Sequence, residues 1–382
     1  MTTRVNHYAM TAILTPCRNR RRPVSQGENV RAEKTGGTIS FVALGDVFID
    51  GKIEYPDGTV RYKKRERPES IFALVSSFLK KADLRFCNLE APLCNLCQKG
   101  TIFHGRRSAW SSDSKNAAGL KYAGFDVVSL ANNQMMSYGW AGVDRTIKTL
   151  GKNGILFVGA GENLKEATQP RVVHVKDVKI AFLAYYFNDV APGIPIVRSR
   201  ADEEKPGLAE VAVSPLYPPP HVNHQHLALF KQTIKEARDI SDVVVVSCHW
   251  GVPHLQTIAI HQTALGHMAI DLGADLVIGT HPHIIQGVEV YKNKVIAYSL
   301  ANFGFDSPSP MPKESILLQA VIFDKKVQKV SFRPVLHNSL GQPEVLGKDN
   351  KNGGKIFKIL QSLSKEFGTK LAFKIGEIRI EG

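Results

Sequence analysis

The chain predicts an α/β fold in which a β-sheet is sandwiched between helices. Apolar runs of strand length alternate with segments of helical period from Thr38 onward, and the alternation resumes after a proline-rich break. Residues 38–44 form a β-rich apolar run that stops at Gly45 and Asp46. Residues 70–81 place apolar side chains at 71, 72, 74, 75, 78 and 79, which predicts a helix. Residues 84–89 read as a strand and 114–123 as a helix. Residues 125–130 read as a strand ending at Ala131, Asn132 and Asn133, followed by a helix over 139–152 and a strand over 155–158.

Residues 188–222, which include Pro218, Pro219 and Pro220, predict a loop or insertion. Beyond it, Leu227, Phe230, Ile234 and Ala237 share one helical face. Residues 242–248 are a fully apolar strand that stops at His249, Trp250 and Gly251. A helix over 258–272 leads to a strand over 274–278, which stops at Gly279, Thr280, His281, Pro282 and His283. A hairpin is predicted over 287–300, turning at Lys292 and Asn293, and β segments at 314–324 and 327–335 predict a second sheet. Gly353 and Gly354 break the chain before a short C-terminal helix and strand. The domain bounds expected from this pattern are a disordered basic tail over 1–37, a domain over 38–335 and an extension over 336–382.

Composition bounds the function classes. With 382 residues, 43% hydrophobic and 22% charged, the chain is ordinary for a globular protein. The formal charge of +14 sits largely at the ends: residues 1–37 hold seven Lys/Arg against two Glu, and 345–382 hold eight against four acids. Basic tails of this kind are solvated segments, so no specific nucleic-acid partner is expected, although Arg18, Arg20, Arg21 and Arg22 are free to touch anionic lipid or polymer. Five cysteines do not make a disulfide framework, and the Cys94/Cys97 pair lacks partners at zinc-site spacing. No run approaches the ~18 apolar residues of a membrane span, and no secretory signal is visible, so the expectation is a cytoplasmic protein.

The chemistry collects where the apolar runs end. The first ends in Asp46, the second in Asn88 and Glu90, the third in Asn132 and Asn133, the fourth in His249, and the fifth in His281 and His283. In α/β folds ligands bind beyond the carboxyl ends of strands, so these residues can converge from distant positions. Each alone is an ordinary turn residue. His281 and His283, two imidazoles at i and i+2 just after a strand, make a chelate-capable turn, and the whole set in order is not what unrelated turns give. Carboxylate and amide oxygens suit Mg²⁺ and Mn²⁺, and imidazoles extend the choice to Zn²⁺ and Fe. A carboxylate such as Glu90 can bridge two ions at the ~3.5–4 Å of two-metal hydrolysis.

Seven segments between about residues 41 and 306 resemble the bacterial capsule-synthesis (CapA, poly-γ-glutamate) family of the calcineurin-like metallophosphatase superfamily. They are residues 43–47 (ALGDV), 88–93 (NLEAPL), 124–133 (GFDVVSLANN), 249–252 (HWGV), 273–283 (GADLVIGTHPH), 286–291 (QGVEVY) and 297–303 (AYSLANF). The resemblance implies a four-layer α/β/β/α sandwich with two sheets face to face. It implies two divalent ions, with Asp46 and His283 on one, Asn133, His249 and His281 on the other, and Glu90 bridging. It also places Arg106 or Arg107 at the family's basic position, facing an anionic substrate group. The family pattern departs at Gln134 and Ser137, where a His and often an Asp are usual, and at Pro253, where a Glu is usual. Gln donates a hydrogen bond but delivers no proton, so the acid must be another residue, His254 or His104, or be absent.

These expectations separate by outcome. A hydrolase or transferase acting on a phosphate ester or glutamyl amide turns over and loses turnover with its histidines. A non-catalytic metal- and anion-binding component of a polymer synthesis or export machine at the envelope binds metal without turnover. A nucleic-acid binder loses salt-sensitive binding with residues 1–37.

Overall fold

In the computed structural model, which describes residues 37–95, 108–189, 199–214, 221–347 and 350–381, the apolar runs form two large sheets around a shared core. Strands β1 (Ile39–Phe48), β2 (Leu84–Leu89), β3 (Val127–Ser129) and β4 (Leu156–Val158) lie side by side and parallel. Helices α1 (Ala117–Ala123) and α2 (Gly139–Lys152) make the return crossings that parallel pairing requires. The second sheet follows with β5 (Val178–Asp189), β6 (Glu210–Ser214), helix α3 (His224–Ile240), β7 (Val243–His249), helix α4 (Ile260–Asp271), β8 (Leu276–Thr280), β9 (Val288–Tyr291) and β10 (Lys294–Ala297). Its order is β6-β5-β7-β8-β10-β9, with β5, β7, β8 and β10 parallel.

The chain then returns to the first sheet. Strand β11 (Asn302–Phe305) pairs with the end of β1, and β12 (Glu314–Phe323) with its start. Strand β13 (Lys326–His337), helix α5 (Lys351–Ser364) and strands β14 (Lys370–Lys374) and β15 (Glu377–Glu381) complete the order β14-β15-β13-β12-β1-β2-β3-β4.

Strand alternation explains the layers. Phe41 and Phe86 point from the first sheet onto Phe182 of the second, at ring-centroid distances of 5.8 and 5.4 Å. Their neighbours Val42, Leu44, Cys87 and Leu89 face the other way and pack with Leu120 of α1 and Val143 and Leu150 of α2. On the second sheet Val244, Val246 and Cys248 pack outward against Phe230 and Ile234 of α3 and Leu265 of α4. The result is helix, sheet, sheet, helix. Phe182 sits at the junction and is fully buried, so truncation to Ala costs about 3–5 kcal/mol.

Several local expectations give way to tertiary structure. The segments near 314–337 join the first sheet through β1 instead of starting a separate one. Residues 336–382 are integral: Ile356, Leu360, Leu371 and Ile378 enter the shared core. Gly353 and Gly354 lie inside α5, where Gly353 is buried and a Cβ would meet Gly347 O at 3.3 Å. The described part of 188–222 contains β6, which pairs in parallel with β5. Residues 70–81 keep their apolar face but split into a 3₁₀ turn over Pro68–Phe72 and a short helix over Ser76–Leu79, because Ala73, Val75 and Phe78 bond back three residues instead of four. The expected disordered tail lies outside the described residues apart from Gly37. No helix among the described residues is long and apolar enough to cross a membrane.

Candidate metal centre

The expected donors come from strand ends of both sheets. Strand β1 does not stop at Gly45; it runs on to Phe48 with a register irregularity between Ala43 and Asp46. Gly45 is required there, since a Cβ would fall 1.7 Å from Ala301 O. Asp46 N–H then donates to Ala301 O at 3.0 Å, and Asp46 stands opposite Asn88 on one side and Asn302 on the other. In the second sheet Gly279 allows β8 to approach Tyr298, whose carbonyl oxygen would lie 1.9 Å from an added Cβ. The turn after β8 is strained: His281 has φ 97° and His283 φ 58°. Left-handed backbone at bulky residues is held only by surrounding structure and clusters at functional sites.

Asn88 organises the acids. Its Nδ2 donates to Asp46 Oδ1 at 2.7 Å and to Glu90 Oε2 at 2.8 Å. Asn132 holds Asn88 in turn, donating from Nδ2 to Asn88 Oδ1 at 3.1 Å and to Leu89 O at 2.7 Å. His249 Nε2 faces Asn133 Oδ1 at 3.0 Å, and its Nδ1 faces Thr280 Oγ1 at 3.0 Å. His283 Nδ1 lies 2.8 Å from Asn302 Oδ1 and 3.4 Å from Asp46 Oδ2. Glu90 Oε1 is 3.9 Å from His249 Nε2 and 4.0 Å from His283 Nε2, so it lies between the two imidazoles. Donor atoms of Asp46, Glu90 and His249 all fall within 4.8 Å of one another. The His281 ring sits 4.6 Å from that of His249.

Burial governs the electrostatics. It pushes the Asp46 carboxyl up to about 7, against hydrogen bonds from Asn88 and the His281 N–H. It pushes Glu90 well above the carboxylate range, and the neighbouring Asp46 charge adds to this. Burial also holds His249 well below its ordinary value, His281 down to about 3 and His283 down to about 4, with nearby imidazoles adding repulsion. The imidazoles are therefore neutral, the form that binds metal. Glu90 Oε1 and His281 Nδ1 are buried with no hydrogen-bond partner, which at this density of polar groups marks room for a ligand.

The family described as "Bacterial capsule synthesis protein PGA_cap" matches residues 40–307, a span that includes every donor above. The chain belongs to this family. Among its relatives, "Capsule biosynthesis protein CapA" of Bacillus anthracis is 32% identical over 78% of this chain and 65% of its own length. This chain thus spans about two thirds of that relative. "PGA biosynthesis protein CapA" of Bacillus subtilis (strain 168) is 27% identical over 88% of this chain and 80% of its own length. Among solved structures, purple acid phosphatase PPD1 from yellow lupin (Lupinus luteus) seeds is similar over 82% of this chain and 54% of its own at TM-score 0.36 and 9% identity.

Asp46, Glu90, Asn133, His249, His281 and His283 lie together in this cluster. Gln134 follows Asn133 directly and is half-buried; its Oε1 accepts from Ser137 Oγ at 3.3 Å, so the two departures from the family pattern satisfy each other. His254 is exposed, with φ 62° and its ring 6.0 Å from that of His283. His104, Arg106 and Arg107 lie outside the described residues, as does Cys97. Thr280 and Asn302, which orient His249 and His283, had no sequence signal beyond their place in the quoted segments. Tyr186, whose ring lies 5.9 Å from that of His249, had none either.

Proposed function

We propose that this PGA_cap chain is a two-metal-dependent hydrolase or transferase of poly-γ-glutamate or capsule-polymer metabolism. The observation that carries the reading is the buried carboxylate pair, Asp46 and Glu90, surrounded by amides and neutral imidazoles and paired with no Lys or Arg among the described residues. Buried carboxylates without a counter-charge are expensive, and a divalent cation supplies the missing charge. His249 Nε2 and Asn133 Oδ1, both lone-pair donors to a metal, face each other at hydrogen-bond distance, so either a proton or a shared cation must separate them. Asp46 and His283 would hold one ion and Asn133, His249 and His281 the other, with Glu90 shared; Mn, Zn, Fe and Mg all suit this mixed set.

Such ions, when bound, lower the pKa of a water and steady charge developing on a phosphoryl or carbonyl centre. The chain's own part is positioning. Asn88 fixes the two carboxylates relative to each other, and Thr280 and Asn302 set the ring planes of His249 and His283. With Gln134 unable to release a proton, His254 at the rim is the proton donor to a leaving group, with His104 as the other candidate and Arg106 or Arg107 contacting the anionic group. Gln134 also favours a second reading, a metal- and anion-binding component of a synthesis or export machine with no chemistry of its own.

The test is metal content by mass spectrometry, run beside hydrolysis of a generic phosphodiester and of poly-γ-glutamate. Two ions per chain, lost in the His281→Ala/His283→Ala double variant together with turnover, is the expected result. Ions without turnover select the second reading. Metal content that stays at trace level, or that the double variant leaves unchanged, overturns both.

A further inference from the structure

Lys351, Lys355, Lys358 and Lys365 follow i, i+4, i+7 and i+14 along α5 and the turn after it, so they share one helical face. All four are exposed, while the opposite face buries Ile356 and Leu360 in the core. A lysine face on an amphipathic helix is ordinarily just solvated. This one borders a groove. Two adjoining cavities of about 620 and 460 Å³ run beside it and share Lys358 and Ser362. Lys351, Lys355 and Lys358 line the first over a floor of Ile359 and Leu363; Lys365 and Lys370 line the second, where Glu381 is the sole acid among the described residues. Lys355 is engaged by Glu314 at 2.9 Å, whereas Lys351, Lys358, Lys365 and Lys370 pair with no acid among the described residues.

The first cavity lies near the rim of the candidate metal centre. Gln256 lines it, only two residues from His254. Two residues of chain span at most ~7 Å, so this end of the groove lies within that reach of His254, whose ring is 6.0 Å from that of His283. From there the groove follows α5 for about 20 Å. The junction is fixed: Gln286 Nε2 donates to Leu255 O at 2.9 Å, and Val288 N–H donates to Ser364 Oγ at 3.0 Å, tying the rim loop and α5 to the same β-hairpin.

We propose that this groove is the track on which a flexible polycarboxylate chain lies while one of its linkages reaches the metal centre. The lining selects the ligand class. Among its described residues there is no aromatic ring on which a base could stack and no guanidinium fork for bidentate phosphate. Spaced ammonium groups above an aliphatic floor suit a polymer with one carboxylate per repeat and methylenes between. The identity of that polymer rests on the capsule-polymer reading above; the groove itself does not depend on bound metal.

The test uses the full chain and the triple variant Lys351→Gln/Lys358→Gln/Lys365→Gln, with equilibrium binding of poly-γ-glutamate of defined length read across a sodium chloride series. Substitutions at these exposed sites are expected to leave the melting temperature essentially unchanged, which thermal melting checks. The triple variant is expected to bind about tenfold or more weakly, with a shallower salt dependence. Polymer binding that survives chelation yet fails in the triple variant supports the track even where the metal reading fails. Equal binding by both proteins overturns it. So does binding of phosphatidylglycerol vesicles or polyuridylate that matches or exceeds the polymer and depends on the same lysines.

Discussion

Two pairs of acids lie a few residues apart along the first sheet, equally hidden from solvent and oppositely treated. Asp46, Glu90, Asp50 and Asp306 are all 0% exposed. Asp50 accepts from Tyr62 Oη at 2.9 Å, from Asn116 Nδ2 at 3.2 Å and from the Arg65 N–H. Asp306 is gripped by the Arg65 guanidinium through Nε and Nη2, accepts from the Asp50 N–H at 3.0 Å, and has Lys63 Nζ 3.7 Å away. Asp306 is thus neutralised by the protein's own cations, and both Asp50 oxygens are satisfied by neutral donors. Asp46 and Glu90 have amides, imidazoles and the Thr280 hydroxyl around them but no Lys or Arg among the described residues, and Glu90 Oε1 has no hydrogen-bond partner. Burial therefore does not mark a site by itself; a buried acid with neither a counter-charge nor a full set of donors does.

The largest expected effect attacks the self-sufficient pair. Arg65→Met leaves the buried Asp306 carboxylate facing only the more distant Lys63, and urea denaturation should show a loss of about 3–5 kcal/mol with metal content per folded chain unchanged. A small loss would mean that the second cluster is no more neutralised than the first. Restoring the family's acid comes next. Gln134→His should raise turnover by about 10²-fold if the centre is catalytic, and an unchanged rate would shift the case to the non-catalytic component.

The pH dependence follows from Asp46, held up to about 7 by burial in the metal-free chain. Metal needs both carboxylates ionised, so uptake weakens as pH falls through that value by about tenfold per pH unit for each proton displaced, and Glu90, also pushed up by burial, adds its own proton. His281 and His283, held to about 3 and about 4, stay neutral through this window and do not compete. Titration calorimetry in buffers of different ionisation enthalpy counts the released protons; uptake flat between pH 5 and 7 would contradict the assignment. The smallest effect is the sharpest contrast. Glu90→Gln removes a carboxyl that the metal-free fold holds at a cost, so its melting temperature without metal should stay level or rise, while Asp306→Asn lowers it.

Much of the centre was legible because its donors are strand-end residues in chain order, and strand ends are read from apolar periodicity alone. His249 closes a strand that opens on four valines, and His281 and His283 follow directly on the end of β8. What the periodicity missed depends on register between distant segments. Asn302 matters because β11 sets it opposite Asp46, and nothing local to residue 302 announces that pairing. The continuation of β1 past Gly45 is likewise dictated from outside, by the carbonyl of Ala301. The C-terminal residues look like an appendage because α5 contains two glycines, yet one of them is what lets the helix sit close to residue 347.

The donors are drawn from both sheets, and Asp46 and His281 meet across 235 residues of chain. Contacts that far apart form late, after the closure entropy of the intervening chain has been met. An ion held by this set finds no binding site in a nascent or half-formed molecule and recognises only the finished one. It would slow unfolding without hastening folding. Metal starvation would then shorten the working life of each molecule while leaving the rate at which new ones mature untouched.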